Sequence, residues 1–261
     1  MGQVILRADA EGVVTITLNR PDKMNALTEA MYGQLADILS DVEADAGARA
    51  VLLRANGANF SAGNDLADFA SAAAGEPGGR QVLRFLDRLA TAPLPVVAAV
   101  QGQAIGIGTT MLLHCDIVIV ADTARLSVPF VKLGLVPEAA SSRLLPARIG
   151  HARAFEMFAL GESIDAREAV SLGIANRCVA IDVLDREAAG QALRIARLPP
   201  GAVAATKCLM RDARVLSEQM AREDGHFSAA LQTPEVRAAL DAFAARREAG
   251  APGPVPTCDR S

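Results

Sequence analysis

Tryptophan is absent, tyrosine occurs once, and aromatic residues make up only 3% of the 261-residue chain, so its core must be assembled from Ala, Val, Leu and Ile. The four cysteines, Cys115, Cys178, Cys208 and Cys258, are far apart, with no CxxC and no histidine at metal-ligand spacing. That spacing argues against a zinc site or a disulfide framework and suits a reducing, cytoplasmic setting. No run of Lys and Arg exists either. With a net charge of −4 and scattered basic residues, the chain offers no electrostatic footprint for nucleic acid or an anionic membrane.

The opening residues, Met1 to Gly12, lack the basic patch, apolar run and small-residue cleavage site of a secretory signal and read instead as a first strand. Between Leu94 and Cys115 no side chain is charged at neutral pH, a length that could cross a bilayer. Pro95, the Gln101-Gly102-Gln103 turn and the Gly106-Ile107-Gly108 run divide it, which predicts a buried strand followed by a buried helix. Also missing are a Lys-Ser/Thr pair after the glycines and a GxGxxG near the start, so nucleotide hydrolysis and hydride transfer are excluded.

What is present is an α/β pattern. Residues 3–8 and 13–18 alternate, with Asp9-Ala10-Glu11-Gly12 between them, and predict a hairpin. Thr28 is placed to cap a helix whose apolar positions are Met31, Leu35, Ile38, Leu39 and Val42. Buried strands are expected at 50–54, 96–100 and 117–120, a helix at 80–91, and a mobile small-residue loop at 71–79. Asp165 with Glu168 forms a capping box before another helix, and 175–179 reads as a late strand. The expected division is a core over residues 1–195, a helical region over 196–249 and a frayed tail over 250–261.

Two segments bring glycine-flanked backbone to the expected start of a helix after a strand: Phe60 to Leu66, and Gly102 to Gly108. Helix starts present unpaired N–H groups and a positive dipole end, so either segment suits an anion or a developing oxyanion. Singly, each is a weak signal, since glycines at such junctions commonly serve the turn.

Together with Asn19-Arg20-Pro21-Asp22-Lys23-Met24-Asn25-Ala26-Leu27 and Cys115-Asp116-Ile117-Val118, in this order, the two segments resemble the enoyl-CoA hydratase/isomerase (crotonase) family over most of the chain. The resemblance implies a crotonase-like spiral of ββα units with a C-terminal helical trimerisation region, and a homotrimer or dimer of trimers. It places the oxyanion donors at the backbone N–H groups of Asn64 and Ile107, beside Gly106. It assigns coenzyme A contacts to Lys23, Met24, Ala26, Ala62, Asp65 and Leu66, and a neighbour's coenzyme A to Arg246 or Arg247. The partner so implied is an acyl-CoA, with coenzyme A entering only as part of the substrate and no metal, flavin or nicotinamide.

The two glutamates of the family's hydratases correspond to Thr110 and Phe130, neither of which is a base at neutral pH. The remaining carboxylate is Glu138, in a stretch similar to peroxisomal-type Δ3,Δ2-enoyl-CoA isomerases. On local chemistry alone, Pro137-Glu138 also reads as an ordinary helix start, where the dipole favours an acid. Phe130, Leu66, Met111 and Leu135 are candidates for the acyl wall or plain core. Asp116 and His114 read as structural, Asp65 as a helix cap, and His151 and His226 have no triad-like setting. The expected reaction is isomerisation with Glu138 as base. A hydratase or other lyase or hydrolase placing water through Glu138 with Thr110 or Ser141, and a non-catalytic acyl-CoA binder, are the alternatives.

Overall fold

A computed structural model describes residues 3–65, 67–68, 80–239 and 242. Its main sheet has the order β1-β2-β3-β4-β6-β9. The strands are β1 (Ile5–Ala10), β2 (Val13–Leu18), β3 (Ala50–Ala55), β4 (Val96–Val100), β6 (Ile117–Ala121) and β9 (Arg177–Val179). Within this sheet β1 and β2 pair antiparallel and every later neighbour is parallel. A smaller sheet joins β5 (Gln103–Ile105), β7 (Arg125–Ser127) and β8 (Ile164–Asp165).

The predicted hairpin forms, with a tighter connection than expected. Asp9 and Ala10 pair with Val14 and Val13, which leaves Glu11 and Gly12 as a two-residue turn. Both have positive φ, 49° and 78°, the geometry whose twist matches the flanking strands. The late strand is shorter than its pattern, because the N–H groups of Ile174 and Ala175 both turn back to the Ala169 carbonyl.

Parallel strands buried on both faces explain the near-continuous apolar runs. One face, including Val14, Ile16, Leu53, Ala98, Val100, Val118 and Val120, joins the main core with α1 (Glu29–Ala44) and α2 (Arg80–Thr91). The other presents Leu52, Val97, Ala99, Ile119 and Ala121 to Leu184, Ala188 and Ala192 of α7 (Leu184–Ala196). The α1 N-cap is Thr28, as expected, and Tyr32 packs on Phe85 with ring centroids 5.8 Å apart.

The uncharged segment 94–115 becomes β4, β5, α3 (Ile107–Thr110) and a 3-10 turn (Met111–His114), a strand followed by short buried helical turns. Among the described residues no helix is long and apolar enough to cross a membrane. Next come α4 (Ser141–Ile149), α5 (His151–Leu160) and α6 (Ala166–Ser171), the last with its Asp165/Glu168 capping box formed. After α7 the described chain is helical: α8 (Pro200–Met210), with Pro199 as N-cap, and α9 (Ala213–Leu231). The loop 71–79 and the tail 250–261 lie outside the described residues.

Candidate active site

The glycine-flanked segments lie side by side because two glycines let them. Ser61 N–H donates to the Gln103 carbonyl at 3.0 Å, and Ile105 N–H donates to the Ser61 carbonyl at 2.9 Å. A Cβ on Gly63 would stand 2.8 Å from the Ile105 oxygen, and one on Gly108 would stand 2.8 Å from the Ser61 oxygen. Only hydrogen fits at either point, so these residues set how closely the backbones approach.

That pairing leaves two N–H groups open. Leu27 and Asn64 form a parallel bridge in which Leu27 N–H bonds the Gly63 carbonyl and Asp65 N–H bonds the Leu27 carbonyl, both at 2.8 Å. The bridge uses the groups flanking Asn64, and its own N–H has no acceptor among the described residues. Gly106, with φ 56° and ψ −121°, turns the chain into α3, so Ile107 is the first helical residue and has no preceding turn to bond. Two unengaged N–H groups on adjoining segments can donate to an oxygen that becomes anionic. Thr109 anchors this turn by donating to the Ala104 carbonyl at 2.6 Å and accepting from Ser127 N–H at 3.2 Å.

Glu138 sits in the loop before α4, not in its first turn. The helix begins at Ser141, because Ala139 and Ala140 both adopt left-handed conformations, φ 62° and 53°. This corrects the helix-start reading of Pro137-Glu138: the Glu138 carbonyl accepts Ser141 N–H at 3.0 Å, whereas its Oε1 is shielded from solvent and has no hydrogen-bond partner. Burial, and secondly the charge of Glu223, push the Glu138 pKa up to about 8.

The strained loop is held from both sides. His114 Nε2 donates to the Ala139 carbonyl at 2.7 Å, and burial lowers the pKa of this imidazole to about 3, so it stays neutral. From α9, Glu223 accepts Ala140 N–H at 2.6 Å and Ser142 N–H at 3.0 Å, together with the Ser142 hydroxyl. Tyr32 lies within the electrostatic reach of Glu138 and bonds the Asn64 side chain. Its hydroxyl donates to Asn64 Oδ1, and its pKa is raised well above normal by burial first and the Glu138 charge second.

The other expected site residues divide into two groups. Met24, itself left-handed at φ 52°, accepts Ala62 N–H at 2.8 Å, and the Ala26 carbonyl accepts Arg20 Nη1 at 3.0 Å, so residues 23–26 and 62–65 are joined. Lys23 is exposed in the turn beside them. Asp65 caps the residues after it by accepting Ala67 N–H at 2.9 Å and pairs with Arg20 at 2.6 Å. Thr110 and Phe130 are buried: the Thr110 hydroxyl has no partner, and the Phe130 ring approaches Gly106 and packs on Phe158. Met111 and Leu135 are core, whereas Leu66, Arg246 and Arg247 lie outside the described residues. Asp116 is structural, accepting Val96 N–H and pairing with Lys207, each at 2.8 Å.

Sequence reasoning missed Glu223, Tyr32 and Asn25. Asn25 is fully buried in a left-handed conformation, accepting Arg20 N–H at 2.7 Å and donating to the Asn56 and Asn59 carbonyls at 2.9 and 2.8 Å. Its signal was an asparagine, the side chain that best tolerates that conformation, inside a turn motif. Glu223 had none, being one acid among several on an amphipathic helix.

Residues 8–250 match the family model described as enoyl-CoA hydratase/isomerase. The chain is 35% identical over 255 residues to the 1,2-epoxyphenylacetyl-CoA isomerase of Escherichia coli strain K12, covering 95% of this chain and 97% of that protein. It is 36% identical over 212 residues to the enoyl-CoA delta isomerase 2 of Rattus norvegicus, covering 79% of this chain and 54% of that one. Among solved structures, an enoyl-CoA hydratase/isomerase from Pseudoalteromonas atlantica superposes with a TM-score of 0.89 at 41% identity, over 97% of this chain and 100% of that one.

Proposed function

The chain belongs to the enoyl-CoA hydratase/isomerase family, and within it we propose a Δ3,Δ2-enoyl-CoA isomerase that uses Glu138 as its single base. The observation that carries this reading is the state of Glu138, a shielded carboxyl with a free Oε1 and a pKa raised to about 8. At the positions corresponding to the hydratases' two acids stand Thr110 and Phe130, which cannot activate water as bases.

Glu138 removes a C2 proton from a 3-enoyl thioester; the C–H electron pair forms a C1–C2 double bond, and the carbonyl π pair moves onto the thioester oxygen, giving a dienolate conjugated with C3–C4. The Asn64 and Ile107 N–H groups donate to that oxygen, each such donor typically being worth ~3 kcal/mol in the transition state. The same proton is returned to C4 as the double bond settles between C2 and C3. No water is consumed. A base whose pKa lies near the working pH is suited to both taking and returning the proton.

Coenzyme A enters as part of the substrate, held by Lys23, Met24, Ala26, Ala62, Asp65 and Leu66, and Phe130 borders the acyl group. The assembly is a homotrimer or dimer of trimers. Two relatives named as isomerases of acyl-CoA substrates support the choice of reaction. The second reading is a water-adding enzyme, supported by the partnerless buried hydroxyls of Thr110 and Ser141, which can bond a water.

The test is a paired assay of purified protein with a 3-enoyl-CoA and a 2-enoyl-CoA, products separated by chromatography, with Glu138→Gln as control. Isomerisation of the 3-enoyl thioester that is lost in the variant is the expected result. Hydroxyacyl-CoA formed from the 2-enoyl thioester would instead establish the water-adding reading.

A further inference from the structure

Resting on the reading of Glu138 as base, we propose that Glu223 is its positioning residue: a buried carboxylate on α9 that holds the 138–142 loop in its strained form and keeps a negative charge behind the base.

Ala139 and Ala140 are consecutive left-handed residues without the freedom of glycine, so this conformation persists only if surrounding groups over-determine it. Two elements do so. The neutral His114 fixes the Ala139 carbonyl, and Glu223 gathers the Ala140 and Ser142 N–H groups and the Ser142 hydroxyl. Those N–H groups flank the start of α4, where donors left by the first turn would otherwise be unpaired in the interior.

Glu223 is 5% exposed, and the partners that hold it are neutral, so its charge is not cancelled by an ion pair. An amide in its place would turn an NH2 toward the N–H of either Ala140 or Ser142, since Oε2 accepts from the first and Oε1 from the second. A carboxylate behind a second carboxylate also does something no amide can: it disfavours ionisation of Glu138 and so maintains the base strength needed to take a proton from carbon. Among the described residues the titratable groups around Glu138 are Glu223 from α9 and Tyr32 from α1, with the uncharged His114 holding the next carbonyl. Of these Glu223 is the one carboxyl, and its hydrogen bonds from Ala140 and Ser142 favour its ionised form.

Two variants separate charge from geometry. In Glu223→Gln the charge is lost. Turnover of the 3-enoyl-CoA should fall ~10- to 100-fold with KM within about threefold, as expected for a misplaced base. The acidic limb of the kcat profile should also move to lower pH by about one unit, because a like charge has been removed. In Glu223→Asp the charge stays but the oxygens withdraw from Ala140 and Ser142, so kcat should fall while the limb stays in place. If one variant does not fold, the other decides.

Wild-type kcat in a folded variant, or variants that melt earlier but retain both the rate and the limb, would reduce Glu223 to a structural role and overturn the proposal. Should the unmodified protein turn over no enoyl-CoA, the isomerase reading fails separately. The question of Glu223 is then answered by NMR titration of the 13C-labelled Glu138 carboxyl, assigned with Glu138→Gln. A lower midpoint in Glu223→Gln supports the proposal, and an unchanged midpoint overturns it.

Discussion

Adding a single methyl group at Gly63 tests whether the spacing between the two open N–H groups matters. At φ +88° an L-residue is strained by roughly 1–2 kcal/mol. The new Cβ would lie 2.8 Å from the Ile105 carbonyl oxygen, which is backbone and cannot swing aside. Forcing a methyl into such a place typically costs about 1–3 kcal/mol. Gly63→Ala should therefore be destabilised by about 2–5 kcal/mol in urea unfolding, with relief available only by parting the segments. Parting them separates Asn64 N–H from Ile107 N–H, and losing one donor's alignment predicts a kcat lowered ~100-fold or more. Gly173→Ala is the control: its φ is +74° but nothing lies within 4 Å, so it should show only the backbone cost, with kcat within about twofold. A folded Gly63→Ala with wild-type kcat would refute the reasoning, since two donors set by that approach could not be what stabilises the enolate.

Glu138 also links stability to pH. It holds its proton to about 8 when folded, whereas an unfolded glutamate releases it near ~4.3, so between these values the folded state binds more protons and stability falls as pH rises. Relative to Glu138→Gln, the wild type should lose on the order of 3–5 kcal/mol between pH 4.5 and 8 in urea unfolding, and a gap independent of pH would show that the carboxyl is not held neutral. Thr110→Val removes a buried hydroxyl that has no partner, so stability should be unchanged or higher by up to ~1 kcal/mol. Isomerisation should persist within about threefold in that variant, and a drop beyond ~10-fold would place a catalytic water on Thr110. Lys207→Ala removes the partner of Asp116, a carboxylate that solvent reaches, and leaves the Leu94 carbonyl without its donor, so it should cost about 1–3 kcal/mol by the same unfolding assay; a loss under ~0.5 kcal/mol would mean that the pair contributes little.

The strands were legible because a parallel sheet buried on two faces demands apolar β-branched residues at almost every position, as in Val96 to Val100 and Ile117 to Val120. Thr28 and the Asp165/Glu168 pair were legible because capping is local chemistry, decided within four residues. The hairpin connection was read too long because Glu11 gives no sign that it will take a left-handed conformation; only Gly12 does. The same limit operated at Glu138. Pro137-Glu138 imitates a helix start, and nothing in Ala139-Ala140 announces two left-handed residues. Their conformation is imposed by His114, 25 residues before Ala139, and Glu223, 83 residues after Ala140.

This contrast places the parts of the site on different energetic footings. The open N–H groups belong to backbone that is paired on both sides and spaced by Gly63 and Gly108, so their position is a property of the sheet and resists side-chain change at 64 and 107. Glu138 belongs to a loop whose two left-handed alanines are each unfavourable by roughly 1–2 kcal/mol. Hydrogen bonds to one ionised carboxylate, worth about 1.5–3 kcal/mol each, are enough to offset that strain while Glu223 keeps its charge. Burial raises the pKa of Glu223 as well, so acidification that protonates Glu223 withdraws loop support and like-charge repulsion together. Protonating Glu223 therefore acts on Glu138 twice, through the loop that carries it and through the like charge behind it.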